Sequence, residues 1–372
     1  MRRLTIIQVL PALDAGGVER GTLEIGRALV AAGHRSIVVS GGGRLEAQLV
    51  SEGSEHVTMD IGRKSLLTFL RCVKPLRNLA RETRADVIHV RSRMPAWVAW
   101  FAWRGMPEAS RPHFMTTFHG TYTPGIYSSV MTKGERVIAI SEMIRGYITR
   151  HYPKVNPANI RLIHRGVDPA AFPPNHRPSD AWFADFFAKY PAARGKALIT
   201  LPARITRWKG QEDFLRVIAQ LRRDGHAVHG LLLGDVHPRR QSFMDELVSL
   251  AAALGIADDV SFLGHRSDVK EIMAASQIVY SLSKDPEAFG RISLEALSLG
   301  VPVIAYDHGG VAEQMRVLLP SGAVPVGDIA AVVARTSEFL RQKPTIPPDH
   351  PFTLQRMQAA TLAIYAELTG SV

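Results

Sequence analysis

Residues 278–306 read IVYSLSKDPEAFGRISLEALSLGVPVIAY and contain the pattern that decides the fold. The first six and the last six residues of this stretch are apolar runs, and each predicts a buried strand. Between them, apolar residues recur with helical spacing from Leu294 to Leu299, and Gly300 ends that helix. A strand, a helix and a second strand in this order are typical of a parallel sheet covered by helices.

Two glutamates flank the start of this predicted helix. Glu287 falls in the loop after the first strand, whereas Glu295 falls within the helix. Gly290 lets the backbone approach a ligand, and a helix start offers free N–H groups to an anion. If both were helical, the glutamates would lie roughly 12 Å apart, farther than the about 5–9.5 Å of paired glycosidase carboxylates. The spacing favours contacts with two ends of an elongated ligand, and the alternative is an amphipathic helix with a solvated glutamate.

Predicted strands and helices alternate along the whole chain, which indicates two parallel sheets. The strand candidates are 4–10, 36–40, 56–61, 86–91, 114–119, 136–141, 160–164, 197–203, 229–234, 259–263, 278–283 and 301–306. A Pro-rich stretch at 168–174 predicts a linker. We therefore expect an α/β protein with an N-terminal domain over 1–168, a linker over 169–190 and a C-terminal domain over 191–350. A last helix over about 353–368 could pack back on the first domain.

The composition is that of a globular protein without membrane-spanning segments. A chain of 372 residues exceeds one ordinary core, so two domains are expected. No run of 18 apolar residues occurs, and Met1-Arg2-Arg3 leads into a strand-like segment rather than a signal peptide. The single cysteine, Cys72, excludes an internal disulfide and a cysteine-based metal cluster. These features predict a cytoplasmic protein.

The positive charge is concentrated in the N-terminal half. The net charge is +11, and residues 1–175 contain 24 Lys or Arg against 13 Asp or Glu. Within them, residues 61–104 contain 10 basic and 2 acidic side chains. We therefore expect any anionic partner to bind through the N-terminal half. A nucleic acid is not expected, because the chain has no motif that reads bases.

Three further clusters follow predicted strands, at the edge where doubly wound sheets bind ligands. Gly16 and Gly17 precede a helix, although the third glycine of the dinucleotide pattern is missing. His119 follows the fifth strand. Arg204 and Lys209 share one loop, where they could clamp a diphosphate. Each cluster also has a plainer interpretation: turn geometry for the glycines, a structural role for the histidine and solvated loop cations.

Together these motifs resemble those of the family-four retaining glycosyltransferases, which have the GT-B architecture of two doubly wound Rossmann-like domains facing across a cleft. The resemblance covers nearly the whole chain. Its motifs are Gly16-Gly17-Val18-Glu19, Ala32-Gly33-His34, Ala139-Ile140-Ser141-Glu142, Gly166-Val167-Asp168, Arg204 with Lys209-Gly210, Leu233-Gly234-Asp235, Phe262-Leu263-Gly264, the Glu287–Glu295 element, Gly300-Val301-Pro302-Val303-Ile304-Ala305 and Gly309-Gly310 with Glu313.

The resemblance implies a donor site in the second domain. Glu295 would accept hydrogen bonds from the ribose of the donor nucleotide, and Glu287 would contact the transferred sugar. The backbone N–H groups of Phe289 and Gly290 would hold sugar hydroxyls or phosphate.

The resemblance also assigns cations to the donor. Arg204 and Lys209 would neutralise the diphosphate, and Arg266 would grip the nucleobase. Asp235 and the residues after it replace a more glycine-rich turn, so the resemblance leaves the nucleobase open between uracil and guanine. UDP is favoured over GDP as the donor nucleotide.

In the first domain, the resemblance places Gly16 and Gly17 near the diphosphate and the acceptor, and His119 near the reacting carbon of the sugar. The implied reaction moves a hexose-type sugar from a nucleotide sugar to a lipid-linked glycan such as lipopolysaccharide core. The alternative on the same fold is a sugar-nucleotide epimerase or hydrolase, which would release altered or free sugar instead.

No cofactor or metal ion is expected. The chain lacks an Asp-x-Asp site, since Asp258 and Asp259 are adjacent and precede a predicted strand. Fixed cations and helix N-termini would then stabilise the leaving diphosphate in place of a metal. The family keeps the anomeric configuration of the donor, and front-face attack is the expected route.

The N-terminal half also predicts attachment to the inner face of the cytoplasmic membrane. Basic and apolar residues mix over residues 63–84, and tryptophans recur every third residue just downstream, which predicts one aromatic face on a helix. Such combinations suit the headgroup layer of an anionic membrane. The residues concerned are Lys64, Arg71, Lys74, Arg77, Arg81, Trp97, Trp100 and Trp103. The alternative is that both helices pack their apolar faces on the sheet.

Overall fold

The computed structural model describes residues 2–14, 16–236 and 240–371, which form two compact units. Unit 1 comprises Met1–Arg165 together with Leu354–Val372, and unit 2 comprises Gly166–Thr353. Each unit contains one parallel sheet with helices. The α/β class predicted from the alternation of strands and helices is confirmed.

Unit 1 has a seven-stranded sheet in the order β3-β2-β1-β4-β5-β6-β7. The strands are β1 Thr5–Val9, β2 Arg35–Ser40, β3 Glu55–Thr58, β4 Val87–Val90, β5 His113–Phe118, β6 Arg136–Ala139 and β7 Ile160–Leu162. The helices are α1 Gly17–Ala31, α2 Glu46–Ser51, α3 Leu66–Glu82, α4 Arg93–Arg104, α5 Ile126–Ser129, α6 Glu142–His151 and α14 Leu354–Thr369.

Unit 2 has a six-stranded sheet in the order β10-β9-β8-β11-β12-β13. The strands are β8 Ala197–Pro202, β9 Val228–Leu233, β10 Val260–Gly264, β11 Ile278–Ser281, β12 Val303–Tyr306 and β13 Ala323–Val324. The helices are α7 Asp180–Lys189, α8 Gln211–Arg223, α9 Gln241–Ala253, α10 Val269–Ala275, α11 Arg291–Ser298, α12 Gly309–Leu318 and α13 Ile329–Arg341.

The strands were recognisable because helices cover both faces of each sheet, so a strand can be apolar along its whole length. All six residues of β9 and all four residues of β4 are buried. In unit 1 the interior strand β1 pairs with β2 and β4, which places Ile7 beside Ile37 and Ile88. Each predicted strand is present. The sequence analysis missed β13, which has two residues and is too short to show a period.

The predicted linker over 169–190 is wrong in its second half. Residues from Asp180 to Lys189 form α7, and the hydroxyl of Ser179 caps it by accepting a hydrogen bond from the N–H of Trp182. Phe186 on this helix is buried in a core cluster that includes Leu198 and Leu231 of the unit 2 sheet. The Pro-rich stretch ends before Ser179, and the aromatic helix that follows belongs to the second unit.

The last helix, α14, completes unit 1. The hydroxyl of Tyr365 lies 2.7 Å from Nδ1 of His89 on β4, and the ring is fully buried. The side-chain amide of Gln358 donates a hydrogen bond of 2.8 Å to the carbonyl of Glu24 on α1. The chain therefore returns to its first unit after building the second.

The strand orders define where a site can form in each unit. The order reverses between β1 and β4 in unit 1, and between β8 and β11 in unit 2. In open parallel sheets, ligands bind beyond the carboxyl ends of the strands at such reversals. Gly16, Gly17 and His119 follow strands at this edge of unit 1, and Arg204 and Glu287 do so in unit 2.

Candidate active site

Glu287 lies in the loop between β11 and α11, as the sequence predicted, and Gly290 shapes the end of this loop. Gly290 precedes α11 with φ 84°, a left-handed conformation that favours glycine. A Cβ atom at this position would also lie 2.3 Å from Cγ2 of Val311. A side chain is therefore excluded here. The helix α11 begins at the next residue, Arg291, shortly after Glu287 in the chain.

Lys209 and Glu287 form an ion pair, which brings two predicted site residues together. Nζ of Lys209 lies 2.7 Å from Oε1 of Glu287. The same oxygen accepts a hydrogen bond of 2.5 Å from the hydroxyl of Ser283. The side chains are 12% and 21% exposed, so the pair is accessible on one side. A cavity of about 80 Å³ adjoins it, lined by Ala203, Lys209, Ser283, Glu287, Gly290 and Ser293 among others.

The ammonium of Lys209 keeps capacity for a further ligand. It has three N–H donors. One points toward Glu287 at 2.7 Å, and the ammonium lies 4.2 Å from the ring centre of Trp208. A lysine held in this way can add an anionic oxygen without leaving its carboxylate.

Arg204 stands on the same loop as an exposed cation. Its carbonyl accepts a hydrogen bond of 2.9 Å from the side-chain amide of Gln211, which fixes the backbone. Among the described residues, no carboxylate pairs with its guanidinium. Arg207, three residues on, instead lies 2.7 Å from Glu246 and 3.9 Å from Glu212. On this loop, Arg207 is already paired with carboxylates, whereas Arg204 has no carboxylate partner among the described residues.

Glu295 lies inside α11 and is 4% exposed. Its Oε1 is 3.8 Å from Nε of Arg291, one helical turn earlier. Phe289 is also buried, and its carbonyl accepts a hydrogen bond of 2.5 Å from the side-chain amide of Gln314. The element therefore holds Glu287 at the accessible end and Glu295 at the buried end.

Arg266 is held by a neighbouring carboxylate instead of projecting freely. Its Nε and one terminal nitrogen donate to Asp268 at 2.8 and 2.6 Å, and this hydrogen bonding raises the pKa of Arg266. Asp268 also accepts a hydrogen bond of 2.8 Å from the indole N–H of Trp182. The guanidinium of Arg266 would therefore have to bind Asp268 and any nucleobase at the same time.

The sequence analysis missed one supporting residue, His308, and named another, Gly310, only as part of a motif without a role. Nε2 of His308 lies 2.7 Å from the carbonyl of Ser283, and the backbone N–H of Gly310 donates to the carbonyl of Glu287 at 2.8 Å. Both residues follow β12, the strand beside β11, so their position after a predicted strand was the available signal. They brace the Glu287 loop from the neighbouring strand.

In unit 1 the glycine pair is bound by a buried arginine. Arg165, which is 5% exposed, donates a hydrogen bond of 2.5 Å to the carbonyl of Gly17. Gly16 lies at the start of α1 in an extended conformation. A Cβ atom on Gly21 would lie 1.9 Å from the guanidinium of Arg165, so this glycine makes room for it. The glycine loop is therefore fixed from the end of β7.

His119 lies at the same edge as a half-buried side chain. Its Nε2 is shielded from solvent and has no hydrogen-bond partner among the described residues. Burial lowers the pKa of His119 well below its usual range, and the neighbouring cations Arg165 and Arg91 lower it further. The imidazole is therefore neutral near pH 7.

Arg91, which the sequence analysis took for the end of a strand, follows β4 and is 2% exposed. Its guanidinium donates to the side-chain oxygen of Gln8 at 3.0 and 2.6 Å. Gln8 in turn donates to the carbonyl of Thr22 at 3.1 Å. A charged residue ending an apolar run was the signal that could have singled it out.

The residues predicted to meet a membrane divide into two groups. Arg71, Lys74 and Arg81 are exposed on α3. Arg77 instead donates to the carbonyl of Ala102 at 3.1 Å, at the end of α4. No described helix combines the length and the apolar character needed to cross a membrane.

The three tryptophans of α4 do not form one exposed face. The indole N–H of Trp97 donates to the carbonyl of Tyr127 at 2.8 Å, whereas Trp103 donates to the carbonyl of Pro112 at 2.7 Å and packs against the core. Trp100 lies between them, with the ammonium of Lys133 4.5 Å from its ring centre. The expectation of a single aromatic face is wrong, because a spacing of three residues turns gradually around a helix.

The described residues contain no group of three His, Cys, Asp or Glu side chains that could hold a metal ion.

Two family models match consecutive parts of the chain. "Glycosyltransferase Family 4" matches residues 15–171, and "Glycosyl transferases group 1" matches residues 183–347. The chain belongs to the glycosyltransferase families that these two models describe. Both the predicted family and the predicted enzyme class are confirmed.

Solved structures agree with this assignment. A glycosyltransferase from Rickettsia africae matches this glycosyltransferase with a TM-score of 0.88 and 28% identity, over 100% of both chains. Anabaena Alr3699/HepE, crystallised with UDP and glucose, has a TM-score of 0.77 at 19% identity, over 99% of this chain and 98% of that one. The second likeness shows the fold alone.

Two curated relatives match over part of their length. A D-inositol 3-phosphate glycosyltransferase from Mycolicibacterium gilvum is 30% identical over 190 residues, which are 50% of this chain and 40% of that protein. The lipopolysaccharide core biosynthesis mannosyltransferase LpcC from Rhizobium leguminosarum is 26% identical over 219 residues, or 56% of this chain and 60% of that protein. The chain thus spans about half the length of these relatives.

Proposed function

We propose that this glycosyltransferase moves a hexose-type sugar from a nucleoside-diphosphate sugar to a lipid-linked glycan acceptor such as lipopolysaccharide core, with UDP preferred to GDP in the donor. Two named proteins support this choice. LpcC is named as a mannosyltransferase of lipopolysaccharide core biosynthesis, and the Anabaena protein was crystallised with UDP.

The observation that carries the proposal is the Lys209–Glu287 ion pair at the start of α11. A departing nucleoside diphosphate gains negative charge as the glycosidic bond breaks, and fixed donors stabilise that charge most in the transition state. Lys209, Arg204 and the N–H groups at the start of α11 would supply those donors without a metal ion. Glu287 would accept hydrogen bonds from the sugar hydroxyls and keep Lys209 in place.

Glu295 would bind the ribose of the donor, and Arg266 the base. In unit 1, Gly16 and Gly17 would contact the diphosphate and the acceptor. A neutral His119 would bind a sugar hydroxyl without adding charge to an oxocarbenium-like centre. The acceptor hydroxyl would attack from the face that the diphosphate leaves, and the departing phosphate oxygen would take its proton. The anomeric configuration would then be retained.

The enzyme would work at the inner face of the cytoplasmic membrane. Support comes from the basic excess of residues 1–175 and from the exposed cations of α3. At about 1 kcal/mol for each basic residue near an anionic surface, a few such side chains give salt-sensitive attachment. Co-sedimentation with liposomes should require anionic lipid and weaken from 50 to 500 mM NaCl. Replacing Arg71, Lys74 and Arg81 by Gln should reduce it, and equal binding to neutral vesicles would contradict this attachment.

The test of function is sugar transfer from a panel of UDP- and GDP-sugars to a lipopolysaccharide-core lipid extract, read by mass spectrometry. We expect the acceptor mass to rise by one hexose with a UDP-sugar, and the Lys209→Ala variant to lose most of this product. A nucleotide sugar that is epimerised or hydrolysed while the acceptor stays unchanged would instead favour the epimerase or hydrolase alternative.

A further inference from the structure

Unit 1 has an apolar groove that the donor and acceptor assignments above do not use. It has a volume of about 590 Å³, within the range of small-molecule sites. It is formed by the start of α3, one face of α4 and the short helix α5. The apolar and aromatic residues that line it are Leu66, Phe69, Met94, Trp97, Phe101 and Tyr127.

The groove continues into an exposed apolar surface. Leu66, Leu67 and Leu70 on α3 are 75%, 57% and 62% exposed, and Ile126 on α5 is 84% exposed. Several exposed apolar side chains beside an apolar groove are typical of an interaction site. The exposed stripe of α3 is therefore apolar at its start, and the cations Arg71, Lys74 and Arg81 follow it.

Two cations stand beside the groove. The guanidinium of Arg93 lies 5.2 Å from the ring centre of Tyr127, and the ammonium of Lys64 lies 5.9 Å from the same ring. No carboxylate among the described residues pairs with either cation. Within the part of the chain that the structure describes, the hydroxyl of Ser128, at 3.3 Å, is the one hydrogen-bond acceptor of Arg93. An anionic group placed here would gain two charge-assisted contacts.

The same arginine connects the groove to His119. Its guanidinium lies 4.7 Å from the ring centre of Tyr122. The hydroxyl of Tyr122 accepts a hydrogen bond of 3.4 Å from the backbone N–H of His119. Tyr122 thus lies between the histidine and the cationic end of the groove, all at the carboxyl-terminal edge of the unit 1 sheet.

We propose that this groove binds the hydrocarbon chain of a lipid phosphate, with the phosphate between Lys64 and Arg93 and the attached glycan directed toward His119. The inference rests on the proposed function for the identity of the glycan-bearing molecule. A chain fits better than a protein segment, because a peptide backbone would leave polar groups unpaired against the aromatic walls. The two cations select an anionic head over a neutral one.

The test uses alkyl phosphates as monomers below their aggregation concentration, with binding followed by tryptophan fluorescence and calorimetry. We expect one molecule of dodecyl phosphate per chain and a gain of about fourfold in affinity per added methylene from octyl to dodecyl. Dodecanol should bind more weakly than dodecyl phosphate, and Arg93→Gln should weaken the phosphate while leaving dodecanol unchanged.

Two matched variants on α3 separate the groove from the general apolar surface. Phe69 lines the groove, whereas its neighbour Leu70 is exposed outside it. Phe69→Asp should lower the affinity for dodecyl phosphate at least tenfold, and Leu70→Asp should change it less than twofold. Met94→Gln, which keeps the side-chain length, provides a second groove variant if Phe69→Asp fails to fold.

Affinity independent of chain length, or equal losses in the Phe69 and Leu70 variants, would overturn the proposal. Binding to anionic vesicles without binding to monomeric dodecyl phosphate would also overturn it and would indicate surface insertion alone. Because this assay contains no nucleotide sugar, its outcome is independent of sugar transfer. Saturable binding with no transfer to any acceptor would retain the groove and refute the proposed function.

Discussion

The carboxyl-terminal edges of the two sheets hold positive charge in different ways. In unit 2, Lys209 is partly accessible and pairs with Glu287, and Arg204 is exposed. In unit 1, Arg91 and Arg165 are 2% and 5% exposed, and both donate to neutral groups, Arg91 to the side-chain oxygen of Gln8 and Arg165 to the carbonyl of Gly17.

This contrast indicates a division of labour. A cation that already shares a carboxylate, or that faces water, can take up a phosphate at little cost. A buried guanidinium bound to the backbone cannot leave its position, but its charge still acts on its neighbours. In unit 1 burial lowers the pKa of His119 and the charges of the two arginines lower it further, while the hydrogen bond to Gly17 fixes the glycine loop. The cations of unit 2 are therefore suited to binding charge that develops during the reaction. Those of unit 1 are suited to holding their neighbouring residues in place.

The largest effect should come from Arg204 of unit 2, which is exposed and can bind a phosphate. Arg204→Ala should lower kcat by about 10²-fold or more, the loss seen when one donor to a developing oxyanion is removed. Arg207→Ala is the matched control on the same loop, because Arg207 already pairs with Glu246 and Glu212, and it should change kcat less than threefold. Steady-state kinetics with the preferred nucleotide sugar provide both values. A rise in the KM for the donor alone would instead indicate uniform binding.

Glu295→Ala should weaken donor binding at least tenfold, because hydrogen bonds from the ribose to a carboxylate contribute about 1.5–3 kcal/mol. Calorimetric titration with the nucleoside diphosphate measures this change, and an unaltered melting temperature shows that the fold is intact. Glu246→Ala, an exposed change in the same unit, should leave the affinity unaltered. Wild-type affinity in the Glu295 variant would exclude the ribose contact.

Acidification tests the buried histidines. Burial lowers the pKa of His229 to about 4, so it stays neutral in the folded protein at pH 5.5, while a histidine in the unfolded chain has a pKa near 6.5 and binds a proton. The folded state therefore loses stability as pH falls below about 6.5, by roughly 1.4 kcal/mol at pH 5.5 for this one residue.

Urea unfolding at pH 7.5 and pH 5.5 measures this term. The His229→Asn variant should lack about 1.4 kcal/mol of the wild-type pH dependence. His89 and His119 of unit 1 also have lowered pKa values, so unit 1 should lose more stability on acidification than unit 2. An unchanged pH dependence in the variant would mean that folded His229 binds a proton at pH 5.5.

The smallest expected effect is that of chelation. Transfer activity should remain unchanged in EDTA, because lysine, arginine and helix N–H groups would stabilise the leaving diphosphate. The measurement is the initial rate with and without EDTA. Activity that disappears on chelation and returns with Mn²⁺ would remove the basis for assigning this role to unit 2 cations.

The sequence predicted what depends on local pattern. Apolar runs between turn residues located the strands, and the loop position of Glu287 followed from its place after one run. The sequence placed Lys209 and Glu287 in the same site but did not predict their ion pair. The two residues are far apart in the chain and meet because their strands, β8 and β11, are adjacent.

What the sequence could not predict depends on packing between distant segments. His308 reaches Ser283 from the next strand, and Arg165 contacts Gly17, from which it is 148 residues distant in the sequence. The tryptophans of α4 illustrate the same limit, since their spacing suggested one face while Trp103 turned toward the core. Whether a side chain on a helix is buried depends on the segment that packs against it, and the sequence of the helix alone does not specify that segment.

The return of the chain to unit 1 has a consequence for biosynthesis. The buried hydroxyl that contacts His89 belongs to Tyr365, and α14 is synthesised only after all of unit 2. A ribosome that has made residues 1–165 has therefore produced a sheet whose last covering helix does not yet exist. Unit 2, continuous from Gly166 to Thr353, can reach its native state while the first unit still waits for α14. The half of the molecule that is translated first is the half that matures last.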